Sequence, residues 1–247
     1  FNYAKLGQVV TGLKKLGFFS IVEAALGADM VADAEAKELA EKGFLTSSCC
    51  PAFVKYIDRQ FPALRGKVSS NLSPMATIAK YIKSTDQNSK VVFIGPCTAK
   101  KAEFQKKSVS PFVDSVITFE ELQALLDGLD INLQELPEED LADASYFGRI
   151  FAKHGGVTEA VLHALEESKV DFQVNPTMCD GLEECRAALL KANAGKLDSN
   201  FIEGMACPGG CIGGAGCISS SHAAKNKMNL DNYAKKALDL PEPVLTR

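Results

Sequence analysis

Apolar positions along the chain follow two alternating patterns. Leu6, Val9, Val10, Leu13 and Leu16 recur at helical spacing and stop at Gly17, which predicts a first amphipathic helix. Ala28 to Lys42 reads as a more polar helix closed by Gly43. Pro51 suits the first turn of a helix carrying Phe53, Val54 and Ile57. Val91-Val92-Phe93-Ile94 is a continuous apolar run, as expected of a buried parallel strand. Val116 to Phe119 predicts a second strand, followed by a helix from Glu120 to Leu126. Phe19 to Val22 and Val170 to Val174 read as further strands. Gly155-Gly156 precedes a helix from Val157 to Glu167, and Glu183 to Ala194 reads as another, closed by Gly195. Phe44-Leu45-Thr46 and Phe201-Ile202 are short apolar leads into cysteine-bearing segments. Strands alternating with amphipathic helices predict an α/β fold with mostly parallel sheets.

Composition narrows the function. The chain has 247 residues, 46% of them hydrophobic, enough to bury a full core in one large domain or two fused lobes. The net charge is -4, and no basic stripe or tail suits nucleic acid. No apolar run reaches roughly 18 residues, so no membrane-spanning helix is expected. No secretory leader is recognised, which makes a cytoplasmic location the expectation. Eight cysteines are the unusual feature. A disulfide scaffold does not suit a large chain without an export signal, so metal or redox chemistry is the better reading.

The cysteines cluster in three segments. These are Thr46-Ser47-Ser48-Cys49-Cys50-Pro51, Gly95-Pro96-Cys97-Thr98-Ala99-Lys100-Lys101-Ala102-Glu103, and Glu203 to Gly214 with Met205-Ala206-Cys207-Pro208-Gly209-Gly210-Cys211 at its centre. Each follows a predicted strand and precedes a helix or a glycine-rich turn. Ligands of open α/β sheets bind at the carboxyl ends of strands, so three such ends could converge on one site. Cys50, Cys97, Cys207 and Cys211 supply four thiolates, the usual complement of an iron–sulfur cluster. Zinc remains an alternative for a single pair, but it favours two close pairs with shorter loops. Cys179, Cys185 and Cys217 are left without a role, and small buried side chains are the plain reading of them.

Together, the three segments resemble, in the same order, the signature motifs TSCCP, PCTxKKxE and ExMACPGGCxxGGG of the FeFe-hydrogenase catalytic domain. The resemblance implies two interleaved lobes spanning residues 1–247, with the metal cluster in the cleft between them and no N-terminal ferredoxin-like domains. It implies reversible interconversion of H2 with protons and electrons. It implies a 4Fe-4S cluster on Cys50, Cys97, Cys207 and Cys211, joined through Cys211 to a two-iron unit carrying CO, cyanide and an azadithiolate bridge. Together these form the H-cluster, completed by maturation proteins. Lys100 matches the lysine contacting an iron-bound cyanide, and Met205, Pro74 and Phe151 match residues lining the two-iron pocket. Electrons are expected from a ferredoxin-like carrier or partner subunit.

Cys49 matches the family's proton-transfer cysteine rather than a fifth ligand. Its relay continues through Glu35, Ser69 and Glu38, with Ser69 following Cys50 at the family's spacing. Lys42 stands where the family has an outer arginine. Glu103 matches a structural glutamate, expected to pair with a lysine. Several positions depart from the pattern: Gly95 replaces a methionine, Ala52-Phe53 replaces Gly-Trp, Met75 replaces a glutamine, and Ala215 to Ile218 alters the final glycine run. Such departures resemble divergent, sensory-type branches of the family. A low-turnover H2 sensor, and an iron–sulfur assembly protein without the two-iron unit, therefore stay open beside the enzyme.

Overall fold

The computed structural model describes residues 3–218 and 223–239. It contains two all-parallel sheets. The larger has the order β1-β5-β4, with β1 at Leu45–Thr46, β4 at Pro176–Asp180 and β5 at Phe201–Met205. Leu45 and Pro176 both pair with Phe201, from opposite sides of the central strand. The smaller sheet pairs β2, Val92–Ile94, with β3, Ser115–Ile117. Parallel strands need crossovers, and helices supply them: α1 (Leu6–Lys15), α2 (Ala24–Lys42), α3 (Pro51–Gln60), α4 (Pro74–Thr85), α5 (Lys100–Glu103), α6 (Phe119–Gly128), α7 (Tyr146–Ile150), α8 (Gly156–Glu167), α9 (Leu182–Asn193) and α10 (Ala223–Lys235).

Both sheets are sandwiched. On one face of the larger sheet, Leu45, Phe201 and Met205 pack with Val31 and Leu39 of α2 and Val157 and Val161 of α8. On the other, Ile202 and Cys179 meet Phe53 and Ile57 of α3 and Leu189 of α9. The smaller sheet places Phe93 and Val116 against Met75 and Ala79 of α4, and Ile94 and Ile117 against Leu122 and Leu126 of α6. The α/β expectation, two lobes each built on a parallel sheet flanked by helices, is met. Among the described residues, no helix is long and apolar enough to cross a membrane.

Several predicted elements move. Helix α2 begins at Ala24, not Ala28, and so runs through Gly27. That glycine is a close-approach position: a Cβ there would lie 2.3 Å from the Pro74 carbonyl oxygen of α4. A buried ion pair anchors the helix start, with Arg149 Nη2 donating to Glu23 Oε1 at 2.7 Å. Phe19 to Val22 forms no strand; Phe19 is fully exposed and no strand lies alongside. Val170 to Val174 is extended without a ladder, and the strand starts at Pro176 instead. The alternation there is real, since Val170, Phe172 and Val174 pack against the core. The segment's backbone bonds locally instead: the Val170 amide donates to the Leu165 carbonyl and the Phe172 amide to the Val170 carbonyl, while Asn200 Nδ2 donates to the Gln173 carbonyl at 2.8 Å. Phe119 belongs to α6, whose cap is Thr118. Finally, β2 is half-buried rather than fully buried, because a two-stranded sheet leaves both strands at an edge.

Candidate functional site

All three cysteine segments leave the carboxyl end of a parallel strand. β1 runs through Ser47 and Ser48 to Cys49 and Cys50, and Cys50 is the N-cap of α3 with Pro51 at its first turn. β2 leads to Cys97 and then the short helix α5. β5 leads to Cys207, and Gly209 and Gly210 follow with φ of 77° and 86°, a left-handed pair that turns the chain back to Cys211. A side chain at Gly210 would also strike the Met205 sulfur at 2.7 Å. The Cys211 amide donates to the Ala152 carbonyl at 2.8 Å, tying this loop to the segment after α7.

Thiols from all three segments feel one another. Burial pushes Cys211 up to about 12, and the charges of Cys50, Cys97 and Cys207 add to the rise while Lys100 opposes it. Cys211 nevertheless keeps solvent-accessible surface, crowded by protein but not sealed inside. Burial also raises Cys207, with Cys50 and Cys97 adding. Gathering four groups that each oppose the others' ionisation is unfavourable unless a cation balances them. Among the described residues, no three His, Cys, Asp or Glu side chains converge tightly enough to hold a single ion.

Beside Cys49 lies a chain of polar groups. Burial pushes the Cys49 thiol well above its ordinary range, and the nearby Glu35 carboxylate adds to this, so it stays protonated. Glu35 is fully buried. Its Oε1 accepts from the Ser48 amide at 3.1 Å and the Ser48 hydroxyl at 3.2 Å, while Oε2 has no partner. Burial lifts Glu35 to about 7 against the Ser48 hydrogen bonds, and the Glu38 charge adds to the rise. Ser69 Oγ donates to Glu38 Oε2 at 2.7 Å. Glu38 also accepts from Ser70 N at 3.0 Å, Ser70 Oγ at 2.8 Å and Asn71 Nδ2 at 2.9 Å. Burial opposes charge on Glu38, but Lys42 and these donors outweigh it and hold the carboxyl at about 2. Lys42 reaches solvent, its side chain 43% exposed. Hydrogen bonds thus link Ser69, Glu38 and Lys42 toward the surface, while Glu35 is held by Ser48 and acts on Cys49 through its charge.

Lys100 is buried and bridges two segments. Its Nζ lies 2.6 Å from Glu103 Oε2 and donates to the Cys49 carbonyl at 3.2 Å. Glu103 is thus the lysine's partner one helical turn away. Met205 and Phe151 are buried in the same apolar cluster. Pro74 is half-buried at the first turn of α4. Sequence reasoning singled out neither Ser48, Ser70 nor Asn71; a hydroxyl-rich run after each strand end was the available signal. It also gave Glu203 no role. Glu203 is fully buried on β5 and caps α8, accepting from Gly155 N and Thr158 N, each at 2.8 Å. His154 and His163 hold no common site: His163 stacks on Phe147 at 3.8 Å. His222 lies outside the described residues.

A family model described as "Iron only hydrogenase large subunit, C-terminal domain" matches residues 2–215. The chain is 30% identical over 264 residues to the NADP-reducing hydrogenase subunit HndD of Solidesulfovibrio fructosivorans, covering 85% of this chain and 45% of that protein. It is 23% identical over 319 residues to the cytosolic Fe-S cluster assembly factor NAR1 of Eremothecium gossypii, covering 100% of this chain and 71% of that one. A structure of the [FeFe]-hydrogenase HydA1 from Chlamydomonas reinhardtii matches with a TM-score of 0.72 and 22% identity, over 92% of this chain and 78% of that chain. That likeness shows a shared fold. The chain spans less than half the length of HndD.

Proposed function

The chain belongs to the iron-only hydrogenase large-subunit family, C-terminal domain, and on that footing we propose that it interconverts H2 with protons and electrons. The observation that carries this reading is the fully buried Glu35 beside the protonated Cys49 thiol, with Ser69 and Glu38 hydrogen-bonded toward Lys42 at the surface. A protein that only holds or passes on an iron–sulfur cluster has no use for a proton path ending at a protonated thiol.

The thiols fit the group the family carries. Cys50, Cys97, Cys207 and Cys211 are electrostatic neighbours, and four thiolates are the usual complement of an iron–sulfur cluster. They would hold a 4Fe-4S cluster, with Cys211 also joining a two-iron unit that carries CO, cyanide and an azadithiolate bridge. When bound, this H-cluster supplies the redox centre and the place where H2 is cleaved or formed. Residues 1–247 would act as one catalytic domain, exchanging electrons with a ferredoxin-like carrier in the cytoplasm after loading by maturation proteins.

The chain's own groups would then divide the work. Cys49 holds a proton at Sγ because burial keeps it from ionising. Glu35 is balanced between its two forms near neutral pH, as a proton carrier should be. Ser69 passes the proton toward Glu38, which Lys42, Ser70 and Ser69 keep anionic, so a proton arriving there is released readily toward solvent. Lys100, held by Glu103, offers a fixed positive charge to an anionic ligand. Met205, Phe151 and Pro74 would wall the pocket and exclude water.

A second reading is an iron–sulfur assembly protein without the two-iron unit. The match to NAR1 across the whole chain favours it. Reconstitution separates the two. The protein is loaded with iron and sulfide, then with a synthetic two-iron complex, and infrared spectra and H2 production are recorded. CO and cyanide bands with turnover are expected. Absent bands would overturn the hydrogenase reading, and bands with very slow turnover would favour an H2 sensor.

A further inference from the structure

Two thiols take no part in the site above. Cys179 stands on β4 and Cys185 in the first turns of α9, 1% and 0% exposed. They share an apolar cluster with Phe53, Ile57 and Ile202, against which Cys50 also packs. Their positions adjoin: Asp180, next to Cys179, pairs with Met205, whose carbonyl lies 3.7 Å from Cys185 Sγ. The Cys185 thiol holds Cys179 below the ordinary thiol range, and Cys179 in turn pushes Cys185 up. The pair therefore has an order, with Cys179 the better nucleophile.

The turn between them grips the third cysteine segment. The Gly181 amide donates to the Met205 carbonyl at 2.8 Å, and Asp180 Oδ1 accepts from the Gly209 amide at 2.5 Å. Cys185 Sγ itself lies 3.7 Å from the Met205 carbonyl. The turn between the thiols lies near the surface, with Met178 and Leu182 on either side of it 45% and 44% exposed. A neutral oxidant of about the size of water needs only a local opening to reach them.

We propose that Cys179 and Cys185 are a redox-active dithiol that a hydroperoxide converts to an intramolecular disulfide. Cys179 sulfur attacks the O–O bond; an S–O bond forms, the O–O bond breaks, and the departing oxygen takes the Cys179 proton as water or alcohol. Cys185 then attacks the sulfenic sulfur; the S–S bond forms, the S–O bond breaks, and water leaves with the Cys185 proton. Two thiols are oxidised and one peroxide is reduced. Closure pulls on the turn holding Met205 and Gly209, so the oxidation state of the pair is felt in the loop carrying Cys207. The chemistry does not require that cluster reading to be correct.

Trypsin cleaves after Lys169 and Arg186, so both thiols fall in one peptide, 170–186, with no other cysteine. The anaerobically purified protein is treated with graded hydrogen peroxide, denatured in an alkylating reagent and mapped. Peptide 170–186 is expected to lose two hydrogens and take no label, then to recover both labels after dithiothreitol. In Cys185→Ser, dimedone is expected to trap a sulfenic acid on Cys179. In Cys179→Ser, Cys185 should stay untrapped. A peptide 170–186 that stays doubly alkylated while the remaining cysteines oxidise would overturn the proposal. The wild-type arm decides alone if either variant fails to fold.

Discussion

In the larger sheet every residue of β5 is buried, whereas in the smaller sheet every residue of β2 is half-buried. The deep strand carries Met205 and delivers Cys207 and Cys211, and its neighbour β1 delivers Cys49 and Cys50. The shallow strand delivers Cys97 alone, followed by the Lys100–Glu103 pair. The proposed proton line also belongs to the deep lobe, since Glu35 and Glu38 stand on α2, which packs over β1 and β5. Positions that must keep hydrogen-bond geometry sit where packing leaves least freedom. The lobe that contributes one thiol and one fixed charge tolerates a thinner sheet.

The largest expected effect breaks this comparison from the proton side. Glu35→Gln keeps the volume and can still accept from Ser48, but it cannot shuttle a proton. Turnover should fall by about 10²–10⁴ with the infrared bands unchanged. Lys100→Met, on the shallow lobe, should instead alter the bands themselves. If Glu35→Gln kept full turnover, the deep lobe would lose its claim to the proton path.

Stability gives the next contrast. Phe201→Ala on β5 removes a fully buried ring and should cost about 3–5 kcal/mol in denaturant unfolding. Phe93→Ala on β2 removes a half-buried ring and should cost about 1–2 kcal/mol. Equal losses would mean that the two sheets are equally essential to the fold.

The smallest effect is a pH signature within the deep lobe. Glu35 is raised to about 7, so the folded state binds its proton more tightly than the unfolded chain does. Its contribution is fully present below the unfolded value of 4.5 and is lost as pH rises through about 7. Glu38 is lowered to about 2, so its contribution is present above 4.5 and is lost as pH falls toward 2. In Glu35→Gln, the decline of stability between 4.5 and 7 should flatten while the acid limb persists. An unchanged profile would remove Glu35 as its source.

Much of this lay in the sequence because chemistry-bearing residues carry local context. Cys50 before Pro51, and Cys207 before a glycine pair, announce strand-to-turn corners wherever they occur. Glu35 and Glu38, three apart on one helix, share a face whatever that helix packs on. What stayed hidden depended on distant partners. Gly27 looked like a helix boundary because nothing local reveals that Pro74 lies against it. Val170 to Val174 has a strand's alternation, but a ladder needs a neighbour, and β5 begins its pairing only at Pro176. Ser70, which joins Lys42 in holding Glu38 at low pKa, stands across the fold on a segment that periodicity leaves blank. Glu103 was legible only as a partner for some lysine; the fold makes that lysine Lys100.

The central claim is that Cys49 joins a hydrogenase centre to a proton path through the deep lobe. Formation of HD from H2 in D2O by the reconstituted protein tests it most directly, with wild type and Cys49→Ala run side by side under infrared observation. The account predicts steady HD formation by wild type, and a fall of at least about 100-fold in Cys49→Ala with the CO and cyanide bands in place. Equal HD formation by both proteins would contradict it.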